Sequence, residues 1–249
     1  MKNMICPKCG QFQEKAIACN SCGVIVAKVK KTSVASSSTV GADTPVYIYD
    51  SFASKVKQRL FHVSEKEDYV SVFFRGLVLL GMMYLSFRLM TSSIASNYAG
   101  EIFLHSINLP FHEAGHVVFR PFGSFMTSLG GTLGQFIIPA LCFYALLVKN
   151  ANPFGAAVCF WWFAENFLDI APYINDARAG DLPLIGGNYG HSSPYGFHDW
   201  EYLLTEIGLI QHDQTIASFS YFIGSVLMVV ALIWAGLLLF EQYKIAADK

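Results

Sequence analysis

Ile216-Ala217-Ser218-Phe219-Ser220-Tyr221-Phe222-Ile223-Gly224-Ser225-Val226-Leu227-Met228-Val229-Val230-Ala231-Leu232-Ile233-Trp234-Ala235-Gly236-Leu237-Leu238-Leu239-Phe240 is an unbroken apolar run with no charged residue. A helix needs roughly 20 such residues to cross about 30 Å of hydrocarbon, so this run is long enough to span a bilayer. Toward the N-terminus lie three more: Pro153 to Ile174, Phe125 to Val148, and Val72 to about Ile94, the last interrupted by Arg75 and Arg88. One such run fits a buried helix of a soluble protein. Four in one chain predict an all-α polytopic membrane domain over 72–249, with about four to five helices, one of them short or re-entrant. Membrane lipid is then the first expected partner.

Composition agrees. Hydrophobic residues make up 53% of the chain and charged residues 14%, against roughly 25% charged in ordinary soluble domains. Of the 17 lysines and arginines, 11 precede residue 76. The net charge of −1 therefore averages a basic, polar head with an apolar body, and no bulk basicity points to nucleic acid as a partner. The start, Met1 to Cys6, has no apolar run behind its charge, so no secretory leader is expected. Positive flanks are retained on the cytoplasmic side, which predicts a cytoplasmic head whose thiols stay reduced.

That head divides by composition into residues 1–30, which hold four of the six cysteines, a Ser/Thr/Ala/Gly-rich linker over 31–45, and a mixed segment over 46–71. The last reads either as an amphipathic helix on the membrane surface, capped by Asp50 or Ser51, or as a solvated spacer. In 1–30, Cys6-Pro7-Lys8-Cys9-Gly10 and Cys19-Asn20-Ser21-Cys22-Gly23 are two C-x-x-C-G knuckles. Two residues between thiolates let one turn aim both sulfurs at a single ion, and two such turns complete a closed tetrahedral site. The pattern resembles a zinc ribbon with a short gap between its knuckles. Cys6, Cys9, Cys19 and Cys22 are the expected ligands of a structural zinc; a four-sulfur iron site and disulfides are the alternatives. A closed site does no chemistry, so the ribbon is expected to engage a protein partner or pair with another copy.

The chemistry-bearing stretch lies between the first two apolar runs: Leu109-Pro110-Phe111-His112-Glu113-Ala114-Gly115-His116-Val117-Val118-Phe119. Positions four apart share one helix face, so His112 and His116 can present both imidazoles to one ion. Glu113 adjoins His112, placed to take a proton from water that the ion acidifies. Pro110 and Pro121 bracket about ten residues, too short to span, with Asn108 as the expected cap. Ionisable groups in apolar surroundings are costly unless paired or ligating; the alternative to a metal site is a hydrogen-bonded His/Glu cluster joining helices.

This region resembles the site-2 protease family of intramembrane zinc metalloproteases. The family signature joins His-Glu-x-x-His on a membrane helix, met here by His112, Glu113 and His116, to an aspartate near an Asn-Pro-Asp-Gly element. Here the second part is approximate: Asn166 to Asp176 reads Asn-Phe-Leu-Asp-Ile-Ala-Pro-Tyr-Ile-Asn-Asp and is followed by Ala177. The resemblance implies a catalytic zinc, hydrolysis of membrane-anchored protein substrates, and Asp176 as third ligand.

Spacing offers other candidates. Glu165, Asp169 and Asp176 fall within roughly a 40° arc of one helix, which makes Asp169 the second choice, while Arg178 is placed to neutralise one of these acids. His198, in Phe197-His198-Asp199-Trp200, competes as a third imidazole; otherwise this pair caps a helix starting near Asp199 on a surface loop. Gly130, Gly131 and Gly134 predict close helix packing. Three function classes stay open: a metallopeptidase, a non-hydrolytic metal-binding membrane protein or carrier, and a membrane-anchored ribbon scaffold. Glu113 favours the first, since hydrolysis needs a base there.

Overall fold

The computed structural model describes residues 3–6, 12–14, 18–21, 52–64 and 67–248, in two compact units, Met1–Gln58 and Arg59–Lys249. In the first, β1 (Asn3–Ile5) and β2 (Phe12–Glu14) pair antiparallel, with Met4 opposite Gln13. Cys6 follows β1 directly, and both Cys6 and Cys19 are buried. Cys9 and Cys22, and with them the expected four-sulfur site, lie outside the described residues, as do the 31–45 linker, Asp50 and Ser51. Helix α1 (Phe52–Leu60) falls in the 46–71 segment and buries none of its side chains.

The second unit is helical. Asp68 caps α2 (Tyr69–Thr91), its carboxylate accepting the Ser71 amide at 2.9 Å. A short α3 (Tyr98–Glu101) leads into α4 (Phe103–Phe119). Helix α5 (Ser124–Tyr144) is extended by a π turn over Ala145–Lys149. Then come α6 (Pro153–Asn175), α7 (Asp199–Glu206) and the long α8 (Asp213–Ala247). Three helical stretches, Tyr69–Thr91, Ser124–Lys149 and Ile210–Ala247, are long and apolar enough to cross a membrane.

The run Pro153–Ile174, expected as a further apolar span, forms a helix of similar length but is not among those three stretches. Helix α6 is the inner helix, sheathed mainly by α8 and α5. Its side chains are buried along its length, including Glu165, Asn166 and Asp169. Phe73, Phe74 and Phe87 on α2, and Phe219, Phe222 and Phe240 on α8, are more than half exposed. Acids inside and aromatics outside invert the arrangement of a water-soluble bundle.

Helix α8 meets α6 along one stripe, Ala217, Ser220, Gly224, Met228, Ala231, Ala235 and Leu238, spaced by three and four residues. Small side chains there let the two backbones approach closely. A β-carbon at Gly224 would stand 2.7 Å from Phe167 Cβ and 2.8 Å from the Ala164 carbonyl. Gly224→Leu is therefore expected to destabilise the unit by about 1–3 kcal/mol through overpacking, read as a lowered unfolding temperature in detergent. Tyr221 ties α8 to the end of α2 by donating its hydroxyl toward the Leu89 and Ser92 carbonyls.

Helix α4 departs from its expected bounds. It starts at Phe103, with Ile102 at the capping position, and runs through Pro110. Pro110 lies on the exposed face, where the missing amide leaves its carbonyl partner open to solvent rather than stranded in the core. Asn108, expected as a cap, is instead 1% exposed and turned into the bundle. At 17 residues, about 26 Å long, α4 remains short of a full crossing.

Candidate metal centre

Glycines set the distance between α4 and α5. A β-carbon on Gly115 would collide with the Gly130 backbone, and one on Gly134 with the Phe111 carbonyl. At Gly131 the neighbours are different. A β-carbon there would lie 2.5 Å from His112 Nε2 and 2.7 Å from His116 Nε2, inside the space the two imidazoles face.

The rings, 4.8 Å apart between centroids and 80° to each other, are each held from behind. His116 Nδ1 lies 2.8 Å from the Thr127 carbonyl oxygen, which only accepts, so this nitrogen carries the proton. His112 Nδ1 lies 2.8 Å from Gln135 Oε1. The Gln135 amide cannot be turned around, because its Nε2 donates to Asn166 Oδ1 at 3.0 Å and faces the Asp169 carboxylate at 3.4 Å. Both imidazoles thus carry a proton on Nδ1 and turn Nε2 into the same space, where its lone pair can ligate when the ring is neutral. This is how ligating histidines are oriented.

The third group into that space is Asp199, at the start of α7. Its Oδ2 is 3.2 Å from His112 Nε2 and 3.4 Å from His116 Nε2. Two Nε2 atoms and a carboxylate oxygen therefore converge, a cluster that either a bound cation or a proton shared with Asp199 relieves. His112, Glu113 and His116 offer ligand atoms all within 4.8 Å of one another. Two imidazole nitrogens and carboxylate oxygens are a donor set that fits a divalent transition metal.

The other ligands expected from sequence are engaged elsewhere. Asp176, the first choice, sits at the C-terminus of α6. It accepts the Asp181 and Leu182 amides at 2.9 and 3.0 Å. Burial raises its carboxyl pKa, but His198 and those amides bring it below the ordinary value. His198 is not on a surface loop; it is 1% exposed, and its Nδ1 accepts the Glu201 amide at 3.2 Å, capping α7. The proton therefore sits on Nε2, which faces Asp176 Oδ2 at 3.5 Å. Together Asp176 and His198 fix the loop that delivers Asp199.

Asp169 lies one layer behind the histidines. It contacts His105 Nδ1 at 2.8 Å, accepts from Asn108 at 2.9 Å, and faces the Gln135 amide that orients His112. Glu165, fully buried, accepts from Asn108 at 3.0 Å through one oxygen, while its other oxygen has no partner among the described residues. Arg178 neutralises neither acid of the stripe; it pairs with Asp213, its Nη2 2.7 Å from Oδ1.

A cavity of about 820 Å³ opens over the cluster, bounded by α4, α5, the end of α6 and the loop before α7. Glu113 lines it and is exposed, beside apolar Leu109, Ile170 and Leu184. His105 and Tyr173 also line it, and sequence reading had marked neither. Asp199 carries no signal of its own in the sequence: nothing in Phe197-His198-Asp199-Trp200 tells which of the two polar residues turns inward. No known protein family, characterised protein or solved structure matches the chain.

Proposed function

We propose that the chain is an intramembrane zinc metallopeptidase that hydrolyses peptide bonds of membrane-anchored protein substrates. His112, His116 and Asp199 hold the catalytic zinc and Glu113 is the general base. The observation that carries this reading is the convergence of two Nε2 lone pairs and one carboxylate oxygen on a space kept open by Gly131. The exposed aromatic faces of α2 and α8 support a multi-pass membrane setting, with α6 crossing inside the sheath of the other helices. Its acids then meet protein rather than lipid.

When bound, zinc supplies Lewis acidity, which polarises a carbonyl and lowers the pKa of water. The chain's own residues do the rest. Gln135 and the Thr127 carbonyl hold the imidazoles in the ligating tautomer. Asp176 and His198 fix the loop that carries Asp199. Glu113 takes the proton from the attacking water and returns it to the departing amine nitrogen. The apolar side of the cavity receives the substrate's side chains, while its polar floor admits water. The N-terminal head, holding a structural zinc through Cys6, Cys9, Cys19 and Cys22, recruits substrate or a regulator.

Zinc per chain in the purified protein and in His116→Ala tests this. The variant is expected to carry one equivalent less and to keep its helical circular-dichroism signal. Equal zinc in both proteins sinks the proposal, because the convergent lone pairs would then be neutralised by a proton.

A further inference from the structure

Tyr173 sits in the last turn of α6, and its hydroxyl oxygen accepts the Asp199 amide at 3.1 Å. Its ring stacks on His198, centroids 4.2 Å apart and planes 28° apart, so the phenol is held by the two residues that start α7. A phenol has one proton to donate as well as lone pairs to accept with. Among the described residues no acceptor takes the Tyr173 proton. The residue lines the same cavity as His112, Glu113 and Asp199, and Glu113 and Asp199 are among its charged neighbours. A rigid, unspent O–H donor beside a lone-pair cluster and a base is what a reaction that builds negative charge on oxygen requires.

The geometry points to Tyr173 as a catalytic residue: its hydroxyl donates a hydrogen bond to the carbonyl oxygen of the scissile peptide as that oxygen becomes an alkoxide. This rests on the peptidase reading above and assigns the oxyanion donor within it. Water oxygen bonds to the carbonyl carbon while the C=O π pair moves onto oxygen. The water proton goes to Glu113, and the Tyr173 proton stays on Tyr173, bonded to the new O⁻. Collapse re-forms C=O, breaks the C–N bond and sends the Glu113 proton to nitrogen. The Asp199 amide, by donating to the phenol oxygen, polarises the O–H toward the substrate and couples the donor's position to the metal ligand's.

The plain alternative is that Tyr173 only positions Asp199. Tyr173→Phe in the purified full-length protein separates the two. The variant is expected to keep its zinc and to lose roughly 10²–10³-fold in kcat on a membrane-anchored reporter, with KM little changed. A turnover-free readout uses two leucine-based probes, a phosphinic dipeptide carrying a tetrahedral O⁻ and a thiol without one. Tyr173→Phe is expected to weaken the phosphinate at least tenfold and leave thiol affinity unchanged. Loss of zinc, or equal weakening of both probes, overturns the catalytic role and leaves a positioning one. An unaltered phosphinate affinity overturns both. A wild-type protein that holds zinc at His116 but binds neither probe defeats the peptidase reading itself, and this inference with it.

Discussion

Glu113→Gln is expected to leave the zinc content of the purified protein unchanged and to cut peptide hydrolysis by roughly 10²–10⁴-fold, the range that a positioned base contributes. Glutamine keeps the size and polarity of the side chain, and Glu113 is exposed to the cavity rather than packed, so folding has no reason to suffer. Only the capacity to accept a proton is removed. Metal content measured beside cleavage of a membrane-anchored reporter checks this. A variant that retains wild-type turnover removes Glu113 from the chemistry, whatever the ion is doing.

Gly131→Ala is expected to empty the metal site as completely as His116→Ala does. The added methyl would stand 2.5 and 2.7 Å from the two Nε2 atoms, and the three nearest contacts are imidazole atoms rather than backbone. The rings are side-chain ends, so the fold absorbs the methyl by rotating them away, and the lone pairs then cease to converge. Gly134→Ala is the matched control. There the collision is with the Phe111 carbonyl and the Gly115 backbone, which forces α4 and α5 apart. Gly131→Ala should therefore lose zinc with a small change in unfolding temperature, and Gly134→Ala should lose stability first. Full zinc occupancy in Gly131→Ala means that the ion sits elsewhere.

The helices and the two candidate histidines were legible in the sequence for good physical reasons. Ile216 to Phe240 has one stable state in hydrocarbon, and His112 and His116 share a face because four residues nearly close a helical turn. What was not legible depends on chain reversal. Asp199 reaches the histidines by way of a loop that Asp176 and His198 tie down, and no periodicity links Asp199 to residues so far away. Asp176 misled because the approximate Asn-Pro-Asp-Gly likeness marks a place in sequence, while its oxygens are consumed by the Asp181 and Leu182 amides. Asn108 misled because a residue two before proline looks like a cap. Its side chain instead takes the Trp162 indole proton at 2.7 Å and donates to Glu165 and Asp169. Local rules gave the wrong answer where a buried polar network took over.

That network lies on the innermost helix, and its placement bears on biogenesis. In the proposed membrane setting a segment carrying Glu165, Asn166 and Asp169 is a poor client for lipid partitioning by itself, and the helix that covers most of it, α8, is translated after it. The nascent chain must therefore keep α6 sheltered, in the insertion machinery or against α5, until α8 arrives. In that setting the later helix completes insertion of the earlier one.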